Sequence, residues 1–484
     1  MSGSQFATDI LQDYSGSSEN ERMPFGYLGH ACRIAAVLAY GLGGLQAQCL
    51  VPFPGGSKVN PNRPRDAETP DARFSPLATV NRQLPQWLCF TAGYRTRFEG
   101  YNGANFLANA SDSYLLTRFR LGALIRPSAW FRVYAELQDT DAFLKSPPLV
   151  PPYQETWDLR RAYVDFGDVE AGRVALRVGR LDLNFGDGLL IGTSYWRNAS
   201  RGYDAVQAVA NSSWIKATAF AASAVAIHEN GLSHHQPGNN IYGLDAKLPT
   251  AVPKAVLEPF IFWRVAPRLS TEEGTAAKLD QETVGARLSG LIGRSVDYET
   301  EGAGQIGKLG SDTIRAWAWM GSGGYTSTVF GHKARMFGAF DFASGDRNGV
   351  DGRHGTFDQI SPNLHDHLGL ADQFARQNLK AVRFGGRVWL RSNWILAAAW
   401  NDYWLASGTD ALYNSSAGVV ARDLKGRSGT HIGEEYDLQT SYRYDRNLEF
   451  GIGLARVLPG RFLFRTGHSK PYDYFYLMMS YNFF

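Results

Sequence analysis

The amino-acid sequence predicts an all-β protein: a single transmembrane antiparallel β-barrel of about eighteen strands, an even number as in bacterial barrels of this kind. Three observations carry that prediction. Short runs of alternating apolar and polar residues recur from Leu88 to the C terminus. The chain has 13% aromatic residues and 52 glycines, yet a mean hydropathy of only −0.27, as expected when apolar residues sit singly on alternate positions. No stretch approaches the roughly 18 uninterrupted apolar residues that a spanning helix needs. A chain that crosses a membrane without such a helix crosses with strands, because only helices and closed barrels pair every backbone group in lipid. A length of 484 residues fits one large barrel.

The first element is a targeting segment. Arg33, the apolar run from Ile34 to Leu45 and the sequence Leu45-Gln46-Ala47 read as a secretory signal peptide over residues 1–47, cleaved after Ala47. The first 22 residues are polar and acidic, unlike a signal n-region, which makes Met23 an alternative start. Gln48 is neither small nor apolar and so argues against lipidation at Cys49. With Cys32 in the signal, Cys49 and Cys89 are too few for a disulfide framework or a four-ligand zinc site. Residues 48–86, rich in Pro, Asn, Asp and Arg and without periodicity, are expected to be a flexible leader.

The barrel is expected over residues 87–484. From Leu88 to Tyr101, Leu88, Phe90, Ala92, Tyr94 and Phe98 share one face and Cys89, Thr91, Arg95, Arg97 and Glu99 the other. Leu115, Phe119, Leu121 and Ile125 then oppose Arg118 and Arg120, and Phe131, Val133, Ala135 and Leu137 oppose Arg132, Tyr134, Glu136 and Gln138. Toward the C terminus Val382, Phe384, Val388 and Leu390 oppose Arg383, Arg387 and Arg391, while Ile432, Tyr436, Leu438, Tyr442 and Tyr444 oppose Glu435, Asp437, Gln439 and Arg443. A soluble sandwich rarely carries so many strands with charged opposite faces. The pattern is weakest from Ala205 to Gly304. In the last strand Phe475, Leu477, Met479, Tyr481 and Phe483 alternate outward, which leaves Phe484 on the lumen side or at the rim. The long polar segments His228–Asn240, Gly345–Asn378 and Ala406–Thr430 are expected as extracellular loops or gates.

The 49 basic and 46 acidic residues nearly balance, which excludes nucleic-acid binding by bulk electrostatics, so any positive field is local. Of the basic residues 38 are Arg and 11 Lys. A guanidinium matches a carboxylate in bidentate fashion, although a GC-rich genome produces the same bias. On strands that flank one another, Arg95, Arg97, Arg118, Arg120, Arg132, Arg161, Arg177, Arg383, Arg387 and Arg391 fall on the inferred lumen face, where rings of Arg select anions. The alternative is a salt-bridged wall in which they pair with Glu99, Glu136, Asp165, Glu435 and Asp437.

Trp157-Asp158-Leu159-Arg160-Arg161-Ala162-Tyr163-Val164-Asp165-Phe166, Leu176-Arg177-Val178-Gly179-Arg180 and Tyr195-Trp196-Arg197-Asn198 resemble the core of the alginate export porins. So does the block Phe342-Ala343-Ser344-Gly345-Asp346, Gly355-Thr356-Phe357-Asp358-Gln359, Pro362, His365, Gly369 and Asn378. The resemblance covers most of the chain after Leu88. It implies a bacterial outer-membrane channel for an anionic polysaccharide, an arginine-lined constriction, and control by an extracellular and a periplasmic loop. It also implies a monomer among outer-membrane lipids, served by a periplasmic scaffold lipoprotein. Arg160 and Arg180 join the substrate-facing set through this resemblance, since alternation alone puts Arg160 outside. After Gly179-Arg180 the exporter itself is expected to carry a second basic residue; here stand Leu181-Asp182, which points away from alginate as the specific cargo and keeps an anionic polymer.

Asp346, Asn348 and Asp351 have oxygen ligands at a spacing open to Ca²⁺, but the EF-hand pattern does not complete and such clusters are usual in turns. His365-Asp366-His367 lacks further zinc ligands. No cofactor is expected. Ser344-Gly345-Asp346 has no nucleophile-elbow context, and Glu434 and Glu435 point to opposite faces of one strand, so no catalytic site is expected. The alternatives are a general anion-selective or nutrient-uptake porin, which shares fold and lumen, and an outer-membrane barrel enzyme needing a Ser/His pair on the outer wall.

Overall fold

The computed structural model describes residues 72–147, 152–229, 231–252, 254–270, 275–365 and 367–483. The expected signal peptide, Cys49, Asp366 and Phe484 lie outside the described residues. The barrel strands are β1 (Leu88–Asn102), β2 (Ser111–Ser128), β3 (Phe131–Phe143), β4 (Glu155–Phe166), β5 (Val174–Leu181), β6 (Tyr203–Asn211), β7 (Lys216–Ala226), β8 (His234–Pro249) and β9 (Ala255–Ser270). They continue as β10 (Ala276–Ile292), β11 (Val296–Leu309), β12 (Asp312–Val329), β13 (His332–Ala343), β14 (Leu379–Arg391), β15 (Trp394–Leu405), β16 (His431–Arg443), β17 (Leu448–Pro459) and β18 (Tyr472–Asn482). Each pairs antiparallel with its sequence neighbours, and β1 pairs with β18 from Gly93↔Asn482 to Asn102↔Asp473, closing an 18-strand barrel.

Closure leaves no sheet edge, and the alternation then sorts the side chains. Leu121, Leu137, Ile261, Leu438, Ile452 and Leu477 are exposed on the outer wall, whereas Arg118, Arg120, Glu136 and Gln138 are buried inside. Exposed Trp130, Tyr325, Trp394 and Tyr442 mark one end of this apolar band and Trp157, Trp317, Trp319 and Tyr436 the other, the aromatic girdles of a membrane barrel. The weakly patterned middle resolves into β6 to β11 without interruption.

Connections alternate in length. Segments 129–130, 293–295, 330–331 and 392–393 close one end, and 182–202, 344–378 and 406–430 arise from the other. Short turns face the periplasm, which puts the long connections on the extracellular side. His234–Asn240, expected within a loop, instead belongs to β8, paired from Ala226↔His234 and Val225↔His235 to Ser223↔Asn240. Above the membrane a strand needs no apolar face, so its polar sequence imitates a loop.

The leader region also differs from expectation. Within residues 48–86, Pro76–Gln83 form a helix, α1, whose Leu77 N–H donates to the Phe483 carbonyl at 2.9 Å. Asn81 bonds both the N–H and the carbonyl of Phe90, at 2.9 and 2.8 Å, and Asn447 donates to the Phe74 carbonyl at 3.0 Å. These bonds fix α1 to the short-turn rim. The outward parity of β18 yields a first prediction: Leu477→Arg, in the middle of the apolar band, lowers stability by about 2–4 kcal/mol, read from urea unfolding in lipid vesicles.

Candidate transport lumen

The arginines of β1 and β2 stand side by side: Arg95 lies directly opposite Arg118, and Arg97 and Arg120 extend the array along the wall. All four are buried. Segment 182–202, between β5 and β6, folds into the barrel and meets them. Arg95 donates to the carbonyls of Tyr195 at 3.0 Å and of Trp196 and Arg197 at 3.1 Å. Arg118 reaches Tyr195 and Arg197 at 3.2 and 3.3 Å, and Arg97 reaches the Trp196 carbonyl at 2.6 Å. Arg120 bonds the Ser200 hydroxyl at 2.7 Å and Gln138 at 2.8 Å. Taking a charge out of water costs several kcal/mol, while a hydrogen bond to a charged group returns about 1.5–3, so only such a multiple cradle holds these guanidinium groups inside.

The second array follows the salt-bridged alternative. Arg161 bonds Glu136 at 2.6 and 3.1 Å, Arg132 and Arg177 share Asp165 at 2.6 Å each, and Arg97 pairs with Glu99. Arg160 is buried within the lumen, not on the outer face. The register of β3 and β4 shifts between Glu136↔Arg161 and Leu137↔Leu159, a β-bulge at Arg160 that turns two consecutive arginines inward. Arg160 binds Asp182 at 2.5 Å, so the acidic residue standing where a base was expected neutralises one of the predicted cations. Arg180 binds Asp204 at 2.8 Å and the Ser233 carbonyl at 2.9 Å. Glu435 and Asp437 accept instead from the backbone of segment 344–378, at Ala371 (2.8 Å) and Leu370 (3.3 Å).

Segments 344–378 and 182–202 meet in the lumen. Gly192 N–H donates to Ser361, Ser361 N–H to Leu190 and Asn363 N–H to Gly188, each at 2.9 Å. Leu183, Leu190 and Ile191 pack with Phe357 and with Phe220 and Phe262 of the wall. Trp196 is stacked between two partners, the Arg97 guanidinium at 3.9 Å and the His365 ring at 4.0 Å. Buried Arg376 ties segment 344–378 to Asp341 at 3.0 Å and Glu301 at 3.4 Å. Segment 406–430 joins it through Asn378, which donates to Ser407 and Ala411 at 3.0 and 2.9 Å. Of the three segments expected as extracellular loops or gates, Gly345–Asn378 thus forms part of an internal partition and Ala406–Thr430 is bonded to it. The oxygens of Asp346 accept from the backbone at Asn348 (2.6 Å) and Gly355 (2.7 Å), and His365 binds Asp372 at 2.7 Å.

On the short-turn side of the partition lies a chamber of about 360 Å³. Arg335, Arg383 and Arg387 line one wall, with Arg335 opposite Arg387 in the sheet, and Trp196, His365 and His367 form its ceiling. Arg335 is paired with Asp297 at 2.5 Å, and Arg383 faces the Phe337 ring at 5.2 Å. Arg391 sits exposed at the rim. The structure therefore separates the predicted arginines into a carbonyl-cradled pair at the partition (Arg95, Arg118), an ion-paired group beside it (Arg132, Arg160, Arg161, Arg177, Arg180) and a chamber group (Arg383, Arg387), while Arg97 holds both the Trp196 carbonyl and Glu99. Arg120 bridges the first two through Ser200. Arg335 and Arg287 were not anticipated, though both follow the inward parity of their strands; Arg376 lies in a connection, where no period marks it.

Residues 86–476 match the protein-family model described as alginate export. Solved structures with a similar barrel include Pseudomonas aeruginosa OccD3 (OpdP), 12% identical with a TM-score of 0.54, covering 82% of this chain and 91% of that one. Pseudomonas aeruginosa OpdQ is 11% identical with a TM-score of 0.55, covering 82% and 97%. Acinetobacter baumannii OccAB2 is 11% identical with a TM-score of 0.55, covering 81% and 97%. No curated protein matches the chain.

The ion-paired group yields one prediction: Glu136→Ala strands buried Arg161 and destabilises the barrel by about 3–5 kcal/mol, measured as a lowered urea midpoint. The partition yields another. Trp196→Ala removes the ring between Arg97 and His365 and raises single-channel conductance in planar bilayers, with the fold unchanged by circular dichroism.

Proposed function

The chain belongs to the alginate export family and forms a channel in the bacterial outer membrane, and on that premise we propose that it exports an anionic polysaccharide. The observation that carries this reading is the partition: Arg95 and Arg118 rest on backbone carbonyls rather than carboxylates. A carboxylate of the polymer makes a charge-assisted, bidentate bond roughly twice as strong as a neutral one, so it can exchange with the Tyr195–Arg197 carbonyls and loosen segment 182–202 in the same step. Binding at each guanidinium must admit the chain and still release it, and a succession of comparable sites meets that requirement.

The polymer meets Arg383 and Arg387 in the chamber first, passes Trp196 and His365 where the partition yields, and reaches Arg118 and Arg120 beyond. Arg160, Arg161 and Arg180, held by Asp182, Glu136 and Asp204, shape the wall rather than carry cargo. No step requires a cofactor or a covalent intermediate. A periplasmic scaffold lipoprotein delivering polymer to the inner mouth fits this route, and the closed 18-strand barrel is complete as a monomer.

A second reading is supported by the ion-paired group, which lowers the net field of the lumen: a general porin for small carboxylates. One experiment separates them. In planar bilayers, submillimolar polymannuronate blocks an anion-selective current, neutral dextran of equal size does not, and Arg383→Ala or Arg118→Ala weakens the block about tenfold. Current carried by small carboxylates with indifference to polymannuronate rejects export in favour of uptake; cation selectivity rejects both.

A further inference from the structure

On the outer wall, at the extracellular end of β15 and β16, three side chains of metal-ligand type converge. One ligand atom each from Asp402, His431 and Glu434 lies within 4.8 Å of the others, and among the described residues this is the one such group of three. His431 faces Asp402 at 2.9 Å. We propose that Asp402, His431 and Glu434 bind a borderline divalent cation, with Zn²⁺ as the best fit.

The local fold builds this cluster. Tyr403 pairs with Gly433 but Trp404 pairs with His431, so the register shifts and Ile432 is the extra residue of a β-bulge. By strict alternation Ile432 would face outward and His431 inward. Ile432 is instead fully buried, and the imidazole is delivered to the same face as Asp402 and Glu434. Gly460 makes the room: a Cβ there would stand 2.6 Å from His431 Nδ1.

Outer bonds orient the ligands as they do around metal ions. Glu434 accepts from Trp400 Nε1 at 3.2 Å and from the Tyr436 hydroxyl at 2.5 Å, and Asp402 accepts from the Tyr403 N–H at 2.9 Å. Trp404 packs on His431 at 5.7 Å between ring centres. Donors around a tetrahedral ion at about 2.0–2.1 Å stand roughly 3.4 Å apart, so side-chain rotation alone contracts the group onto an ion. An imidazole with two carboxylates favours Zn²⁺ over Ca²⁺ or Mg²⁺, which prefer oxygen alone. Three protein ligands leave the fourth position to water, and the ion ties together the two strands from which segment 406–430 arises.

The test uses untagged, folded protein in detergent, titrated with ZnCl₂ by calorimetry, and with Co²⁺ followed by visible absorption. One equivalent of Zn²⁺ binds per chain, Co²⁺ gives the absorption of a tetrahedral site, and His431→Ala or Asp402→Asn weakens binding about tenfold or more. Bound Zn²⁺ also raises the temperature at which the barrel loses its compact gel migration. The positions are partly exposed on the outer wall, the same migration verifies that each variant folds, and Glu434→Gln provides an isosteric third variant. Binding of Zn²⁺ that none of the three substitutions weakens, or no binding at millimolar ZnCl₂, overturns the proposal.

Discussion

Everything in this protein follows from the requirement that no backbone N–H or carbonyl be left unpaired in lipid. Only a closed sheet satisfies it here, and β1 meeting β18 is the step that removes the last edge. Once the sheet closes, period-two alternation becomes a rule of solvent: one parity meets hydrocarbon and the other meets the lumen. Leu477 and Ile452 face out and Arg118 and Glu136 face in, so the arginines of the lumen face are kept away from hydrocarbon.

What fills the lumen is set by charge. Guanidinium groups crowded on β1 to β5 repel one another and need oxygen partners. The wall supplies Glu136 and Asp165, and segment 182–202 supplies carbonyls and Asp182. The inward fold of that segment and the arginine array are thus two halves of one arrangement, each leaving unsatisfied polar groups without the other. The same economy holds across the barrel, where Glu435 and Asp437 cap backbone N–H groups of segment 344–378.

The strands and their facing were legible in the sequence because alternation is a local property, read from residues two apart. Arg95, Arg118, Arg383 and Arg387 were placed correctly for that reason. For Arg160 alternation alone points outward and the resemblance points inward; the bulge, which adds one residue invisible to a period of two, decides for the resemblance, and His431 is turned outward by the same device. The long connections were legible only as extracellular loops or gates, without the packing that decides between the two. Gly345–Asn378 is polar in sequence, yet Phe357, Phe374 and Arg376 are buried, since what buries them comes from strands far away in the chain. The helix Pro76–Gln83 lies in a stretch whose composition suits a linker, and bonds to Phe90, Asn447 and Phe483 hold it.

The contact between Ile191 and Ser361 joins segments hung from opposite parts of the wall, with β6 to β13 threaded between them. Loop-closure entropy disfavours so distant a meeting until the intervening strands are paired. The seal therefore belongs to the end of biogenesis rather than its beginning: while strands are still being added, the interior is open water and its arginines are hydrated. If closure of the seal comes last, the guanidinium groups lose their water where they finally stand, when the two segments come together.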